Sequence, residues 1–118
     1  MLDPVSTQLD RYLTLVSQRQ KLVASNIANA DTPGFRTQDF DFEAQLHAAL
    51  QTPADSTPGQ PTASAVPGLR VKNDGNNVSL DRESRLLAEN ALRFNVATNL
   101  LRVQISSLRS AIKEGQSS

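Results

Sequence analysis

The residues of this chain that could carry chemistry are few. The one histidine, His47, has no cysteine and no second histidine with which to share a metal ion. Asp39, Asp41 and Glu43 are spaced as the carboxylates of a general acid–base pair could be. They also fit the approach to a helix and its first turn, where negative charge complements the helix dipole. We favour that second interpretation, and we expect His47 to be exposed on the same helix.

Motifs for catalysis or cofactor binding are missing from the sequence. It contains no glycine-rich phosphate loop, no nucleophile elbow and no metal-ligand spacing. Twelve basic residues balance twelve acidic ones, so no field for nucleic acid or membrane is indicated. Asn77-Val78-Ser79 matches a glycosylation acceptor, but we interpret Ser79 as a helix cap. We therefore predict no enzyme activity, no cofactor, no metal, and no nucleic-acid or small-molecule partner.

Length and composition predict one domain with a thin core. The chain has 118 residues, of which 38% are hydrophobic and 4% aromatic, with no tryptophan. No run approaches the roughly 20 apolar residues that span a bilayer. The first residues lack the basic, apolar and small-residue regions of a secretory signal. If the protein leaves the cytoplasm, we expect a route that needs no cleaved signal peptide.

The N-terminal part carries an apolar residue at every seventh position, which predicts a helix over residues 3–30 that packs along its length. Asp3 can cap this helix and Pro4 fits its first turn. Two polar residues, Arg19 and Asn26, interrupt a neighbouring row. Either they sit at the rim of the packed surface, or they bond a specific neighbour and fix the register. The sevenfold row consists of Leu2, Leu9, Val16, Val23 and Ala30.

The C-terminal part repeats the pattern and predicts a second long helix over residues 81–113. Ser79 or Asp81 can cap it, and Lys113 with Gly115 can end it. A second row on the same side is small at first and bulky later, so a partner backbone could approach closely near its start. The main row is Leu80, Leu87, Phe94, Leu101 and Leu108; the second is Ser84, Ala91, Thr98, Ile105 and Ile112.

Between the two helices the sequence predicts shorter and less regular structure. Residues 31–34 form a turn, because Pro33 disfavours helix at the residue before it. A short helix follows over residues 41–51, and the proline-rich residues 52–68 favour a flexible or extended linker. Alternating residues 69–71 and 78–80 around Asp74-Gly75 favour a small β-hairpin, although two short strands alone are marginal in water. The divisions of the single domain are thus 1–30, 31–78 and 79–115.

One segment is too specific for an ordinary helix end. It contains Ser25, Asn26, Ala28, Asn29, Thr32, Pro33, Gly34 and Phe35. This string closely resembles the signature that closes the N-terminal helix in the rod and hook proteins of the bacterial flagellum. The opening of the second helix, residues 78–83, resembles the V-x-x-D-x-E start found in the short proximal rod proteins of that family.

This resemblance implies an all-α protein, a hairpin of two long terminal helices that serves as a structural subunit of the flagellar basal-body rod. It implies a periplasmic location and export through the flagellar type III apparatus. The implied partners are copies of the chain, other rod proteins, and the adaptor at the inner-membrane ring and export gate. The alternative is a helical-hairpin adaptor that binds one partner helix without polymerising. We expect the assembly seam to comprise Leu9, Val16, Val23, Leu87, Phe94, Leu101, Ile105 and Leu108.

Overall fold

The computed structural model describes residues 3–117, so Leu2, the first position of the predicted N-terminal row, lies outside it. Within these residues the chain is predominantly helical and measures 72 × 25 × 17 Å along its principal axes. The elements in chain order are α1 (Pro4–Ala28), β1 (Gln38–Asp39), α2 (Phe42–Gln51), β2 (Ser64–Ala65) and α3 (Leu80–Ser117).

Helix α1 begins as predicted and ends two residues early. The Asp3 carboxylate caps it by accepting a 3.3 Å hydrogen bond from the Val5 amide. At the other end the Asn29 amide donates to the carbonyls of both Ser25 and Asn26, at 3.1 and 3.2 Å. Such shared bonds tighten a last turn, and the chain leaves the helix at Asn29 for the turn around Pro33.

Helix α3 begins at Leu80 and runs further than predicted. The Ser79 hydroxyl accepts a hydrogen bond from the Arg82 amide at 3.2 Å, so Ser79 rather than Asp81 is the cap. The predicted stop at Lys113 and Gly115 is wrong, because α3 continues to Ser117. Gly115 does not adopt the positive φ of a helix-ending glycine, unlike Gly34, Gly68 and Gly75.

The two long helices pack antiparallel, which confirms the predicted hairpin. Three polar pairs mark the alignment: Asn26 with Glu83, Gln20 with Asn90, and Asp3 with Gln104. Since Gln104 lies opposite the start of α1, residues 105–117 of α3 extend beyond it by about 20 Å at ~1.5 Å per residue. Neither long helix, nor any other helix in residues 3–117, is apolar enough over sufficient length to span a membrane.

The short helix α2 packs on α1 and contributes Phe42 to the aromatic part of the core. The rings of Tyr12 and Phe42 meet edge to face, with centroids 5.7 Å apart. Asp41 caps α2 by accepting from the Ala44 amide at 3.1 Å, and His47 is exposed, as expected. The buried core cluster consists of Leu15, Val16, Phe40, Phe42 and Ala49.

The short strands lie elsewhere than the sequence predicts. They form an antiparallel pair in which Gln38 faces Ala65 and Asp39 faces Ser64, so part of the predicted flexible linker is paired. Residues 69–71 and 78–80 do not form strands. The Asp74-Gly75 turn is present, closed by 2.9 Å and 2.8 Å bonds between Lys72 and Gly75 and between Lys72 and Asn76. Beyond the bond between Lys72 and Asn76, the side chains of Asn76 and Asn77 bond to the first half of the chain.

Candidate assembly interface

The junction where α1 ends and α3 begins is built around Asn26. This side chain is buried, and it donates to the Gln38 carbonyl at 2.9 Å and accepts from the Gln38 amide at 3.1 Å. It also donates to the carboxylate of Glu83 on α3. Of the two interpretations of this polar position, the structure shows the bonding one: Asn26 bonds specific neighbours on β1 and α3.

Charged residues lie beside Asn26 in the same junction. The Asp39 carboxylate receives the Arg19 guanidinium at 3.0 Å and the Arg82 guanidinium at 2.6 Å, while Arg82 also pairs with the fully buried Glu83 at 3.0 Å. Burial alone raises the pKa of Asp39, but hydrogen bonds from Arg19, the Phe40 amide and Arg82 bring the pKa below its ordinary value. Asp39 therefore ties α1 to α3 as an ion.

The turn after α1, residues 29–35, is held by hydrogen bonds of its own side chains, and we call it the motif turn. The Asn29 amide group donates to the Ser25 carbonyl at 2.8 Å, and the Thr32 hydroxyl donates to the Asn29 side-chain oxygen at 3.0 Å. Gly34 has a φ of 75°, in the left-handed region where a side chain is disfavoured. Its amide donates to the Asp74 carbonyl at 2.9 Å, which joins this turn to the one at Asp74-Gly75.

Asn76 and Asn77 complete the junction, and sequence reasoning missed both. The buried Asn76 amide group donates to the carbonyls of Asn29 and Thr32, each at 2.8 Å, and so satisfies the end of α1. The Asn77 side-chain oxygen accepts from the Thr37 amide at 2.6 Å. The signal available in the sequence was the run of turn formers Asp74-Gly75-Asn76-Asn77. Because Asn77 is buried, it is not accessible as a glycosylation acceptor in this fold.

The predicted seam residues separate into two groups. On α1, Val16 and Val23 are buried inside the chain and Leu9 is half-buried. On α3 the row that faces α1 is a different one, namely Glu83, Asn90, Ala97 and Gln104. The predicted row lies beside it, with Leu101 and Ile105 half-buried and Leu87, Phe94 and Leu108 exposed; Phe94 is 48% exposed. We call Leu80, Leu87, Phe94, Leu101 and Leu108, with Ala91, the first stripe.

A second apolar stripe lies on the other side of the row that faces α1. Successive residues are about 100° apart around the axis of a helix. Measured from Ala97, which faces α1, Phe94 lies roughly 60° to one side and Val96 roughly 100° to the other. Neither of the two predicted sevenfold rows includes the second stripe, although its spacing of three and four residues is itself a helical signal. It consists of Leu92, Val96, Leu100 and Val103, which are 51–65% exposed.

Each stripe borders a shallow groove between α3 and α1. On one flank Phe94 and Ala91 meet Val16 and Ala24 around a groove of about 420 Å³. On the opposite flank Val96 and Leu100 meet Leu9 and Tyr12 around a groove of about 440 Å³. Contiguous exposed apolar side chains are typical of surfaces that bind other proteins. The two flanks of the helix hairpin are therefore the candidate assembly interface.

Comparison with known proteins identifies the family of this chain. A family model described as flagella basal body rod protein matches residues 13–36, the stretch that ends in the motif turn. The chain is 31% identical to the flagellar basal body rod protein FlgB of Escherichia coli (strain K12), over 98% of this chain and 99% of the relative.

Relatives from other bacteria align over most of their length as well. The FlgB protein of Yersinia enterocolitica is 34% identical over 98% of this chain and all of its own length. The FlgB protein of Borrelia hermsii is 31% identical over 87% of this chain and 91% of the relative. With such identity sustained over whole chains, and the motif turn ordered as described, the chain belongs to the FlgB family of flagellar basal body rod proteins.

Proposed function

We propose that this chain is a structural subunit of the proximal flagellar rod and that it assembles through the two flanks of its α1–α3 hairpin. Residues 1–118 act as one axial domain. The exposed stripes of α3 carry the proposal, since the row of α3 that meets α1 is largely polar while the larger apolar side chains point outward. Burying those side chains against neighbours would supply the free energy of assembly.

The junction where α1 ends and α3 begins has a different role in this proposal. Asn26, Asp39 and Glu83 hold α3 at one register against α1, so that both stripes are presented in a fixed relation. Subunits of a drive shaft must keep such relations under torque, and buried polar bonds are specific to one register. Val16 borders the groove beside the first stripe and Val23 is buried within the chain. Leu87, Phe94, Leu101, Ile105 and Leu108 make the contacts between subunits.

The remaining parts of the proposal follow from the family. The chain reaches the periplasm through the flagellar type III apparatus without a cleaved signal peptide. There it contacts copies of itself, other rod proteins, and the adaptor near the inner-membrane ring and export gate. A non-polymerising adaptor is not favoured, because one partner helix covers one flank of the hairpin and leaves the other stripe in water.

Cysteine labelling tests this function, because the natural chain contains no cysteine. Ala91→Cys places a thiol on the exposed first stripe, and Ala54→Cys places one on the exposed linker as the matched control. We expect both thiols to be alkylated in the free chain. In purified basal bodies the thiol at position 91 should be protected and the one at position 54 should stay reactive. Equal labelling of position 91 in the free chain and in basal bodies would contradict the proposal.

A further inference from the structure

The two apolar stripes of α3 differ in shape. Part of the lining of the groove beside the first stripe is small, with Ser17 and Ala24 on α1 and Ala91 next to Phe94 on α3. The second stripe is a ridge of branched aliphatic side chains, and Leu92 and Val103 are its most exposed members at 65% and 64%. A lining of small residues allows a neighbouring helix to approach closely, and a row of branched side chains fills such a groove. The two surfaces are therefore complementary in shape.

The borders of the stripes differ in charge. Lys21 lines the first groove, and Arg102 and Arg109 each follow a first-stripe leucine by one position. Glu89 lies on the side of the second stripe, and the exposed Glu43 of α2 reaches the same flank. Positive charge thus borders the groove and negative charge borders the ridge.

Arginines are also present on the ridge side, but carboxylates accompany them. Arg93 lies 4.6 Å over the ring of Phe42 and contacts both Glu43 and Glu89. Arg85 pairs with Asp81 at 3.6 Å. With three carboxylates to two guanidiniums, this flank keeps an excess of negative charge that complements the basic border of the groove.

We infer that these surfaces are two halves of one contact between copies of this chain: the ridge of one copy docks into the groove of the next. This inference rests on the proposed function and adds which surface meets which. Such a contact is heterologous, since each copy contributes a different surface to it. Each copy then presents its groove to one neighbour and its ridge to the other, so successive copies repeat the same rotation in the same sense.

Disulfide trapping between single-cysteine variants tests the pairing. Ala91→Cys marks the groove and Val96→Cys marks the ridge, while Ser106→Cys marks an exposed position outside both stripes. Variants with different mass tags are mixed in pairs at high concentration under mild oxidation. We expect the 91–96 product to exceed the 91–91, 96–96 and all 106-containing products several-fold.

Other outcomes of the trapping would overturn the inference. Predominant 91–91 or 96–96 products would show that like surfaces meet, as in an isologous dimer. Products no more abundant than those containing position 106 would show that the stripes bind a different protein. Both results are separable from failure of the proposed function, because protection of Ala91→Cys in basal bodies reports burial of the stripe whichever surface covers it.

Discussion

Asn26 donates a hydrogen bond to Glu83, although the two residues stand 57 positions apart and Glu83 is wholly buried. The bond joins the end of α1 to the start of α3, and a second pair of Asn26 bonds holds Gln38 in the same place. We expect these bonds to set the register of the hairpin, since the apolar side chains on α3 mostly point away from α1.

Removing Asn26 should therefore destabilise the chain more than its size suggests. In Asn26→Ala the Gln38 backbone and one carboxylate oxygen of Glu83 lose a buried partner, a loss that typically costs about 1–3 kcal/mol or more per group. Asn29→Ala is the matched control, since Asn29 is half-buried and its side chain bonds only within the end of α1 and the motif turn. Denaturant unfolding followed by circular dichroism measures both. Equal losses of stability would show that the Asn26 bonds do not set the register.

Stability should fall at acid pH through Asp39. A carboxylate whose pKa is lowered by folding contributes stability above its unfolded value, ~3.9. That contribution is lost as the pH falls through the folded value, so we expect the decline below about pH 5. Asp39→Asn should lower stability at neutral pH, because Arg19 and Arg82 lose their counter-charge, and should flatten the acid slope. Asp55→Asn, at an exposed position, is the control. The measurement is the unfolding midpoint of each variant as a function of pH. An unchanged acid slope in Asp39→Asn would refute the role of Asp39 in the acid decline.

Alanine substitutions at three glycines distinguish the cost of backbone strain from the cost of close contact. Gly75 has a φ of 87°, and an added Cβ would lie 3.3 Å from the Gly34 Cα. Gly68 has a φ of 79° with open space around it, and Gly59 has neither constraint. We expect Gly59→Ala to be nearly neutral and Gly68→Ala to cost about 1–2 kcal/mol. Gly75→Ala should cost more than Gly68→Ala. Thermal unfolding measures the loss of stability in each of the three variants. A neutral Gly75→Ala would show that the turns at Gly34 and Gly75 do not need their close approach.

The linker should tolerate replacement of its side chains. The Arg11 guanidinium binds the carbonyls of Ala49, Thr52, Pro53 and Ser56 at 2.6–2.9 Å, and any residue supplies a carbonyl. Residues 52–68 exchanged for a Gly/Ser sequence of equal length should keep motility, because the exchange keeps the loop length on which closure entropy depends. Arg11→Ala, which removes all four bonds, should reduce the thermal stability of α2 packing. Non-motile cells with the exchanged linker would reveal a side-chain contact with another rod component.

Local sequence patterns predicted the helices of this fold better than the bonds at the junction between α1 and α3. The sevenfold row of α1 places Val16 and Val23 inside, because a neighbouring helix and α2 cover that side. Asn76 and Thr32 were not connected by any local pattern, since the bond between them spans 44 positions. The strand pair was misplaced for the same reason: the side chains of Asn76 and Asn77 bond to the motif turn and to Thr37, which removes them from a hairpin.

The faces of α3 show a second limit of sequence patterns. A sevenfold row shows that a helix packs along its length, but not whether the partner belongs to the same chain. Phe94 is in the predicted row and is nearly half exposed, while Arg93, which resembles a surface residue, covers Phe42. Only the position of α1, fixed by the polar junction, decides which row of α3 is covered and which two rows remain outside.

The most direct test of the account is motility of a strain whose only copy of this gene encodes Phe94→Asp. A charge on the first stripe has no partner inside a contact that excludes water. We predict that the variant is exported, fails to build a rod and leaves the cells non-motile. Ser106→Asp, an equal charge on an exposed position outside both stripes, should leave cells swimming. Normal swimming and normal rods with Phe94→Asp would contradict the claim that α3 assembles through its exposed apolar stripes.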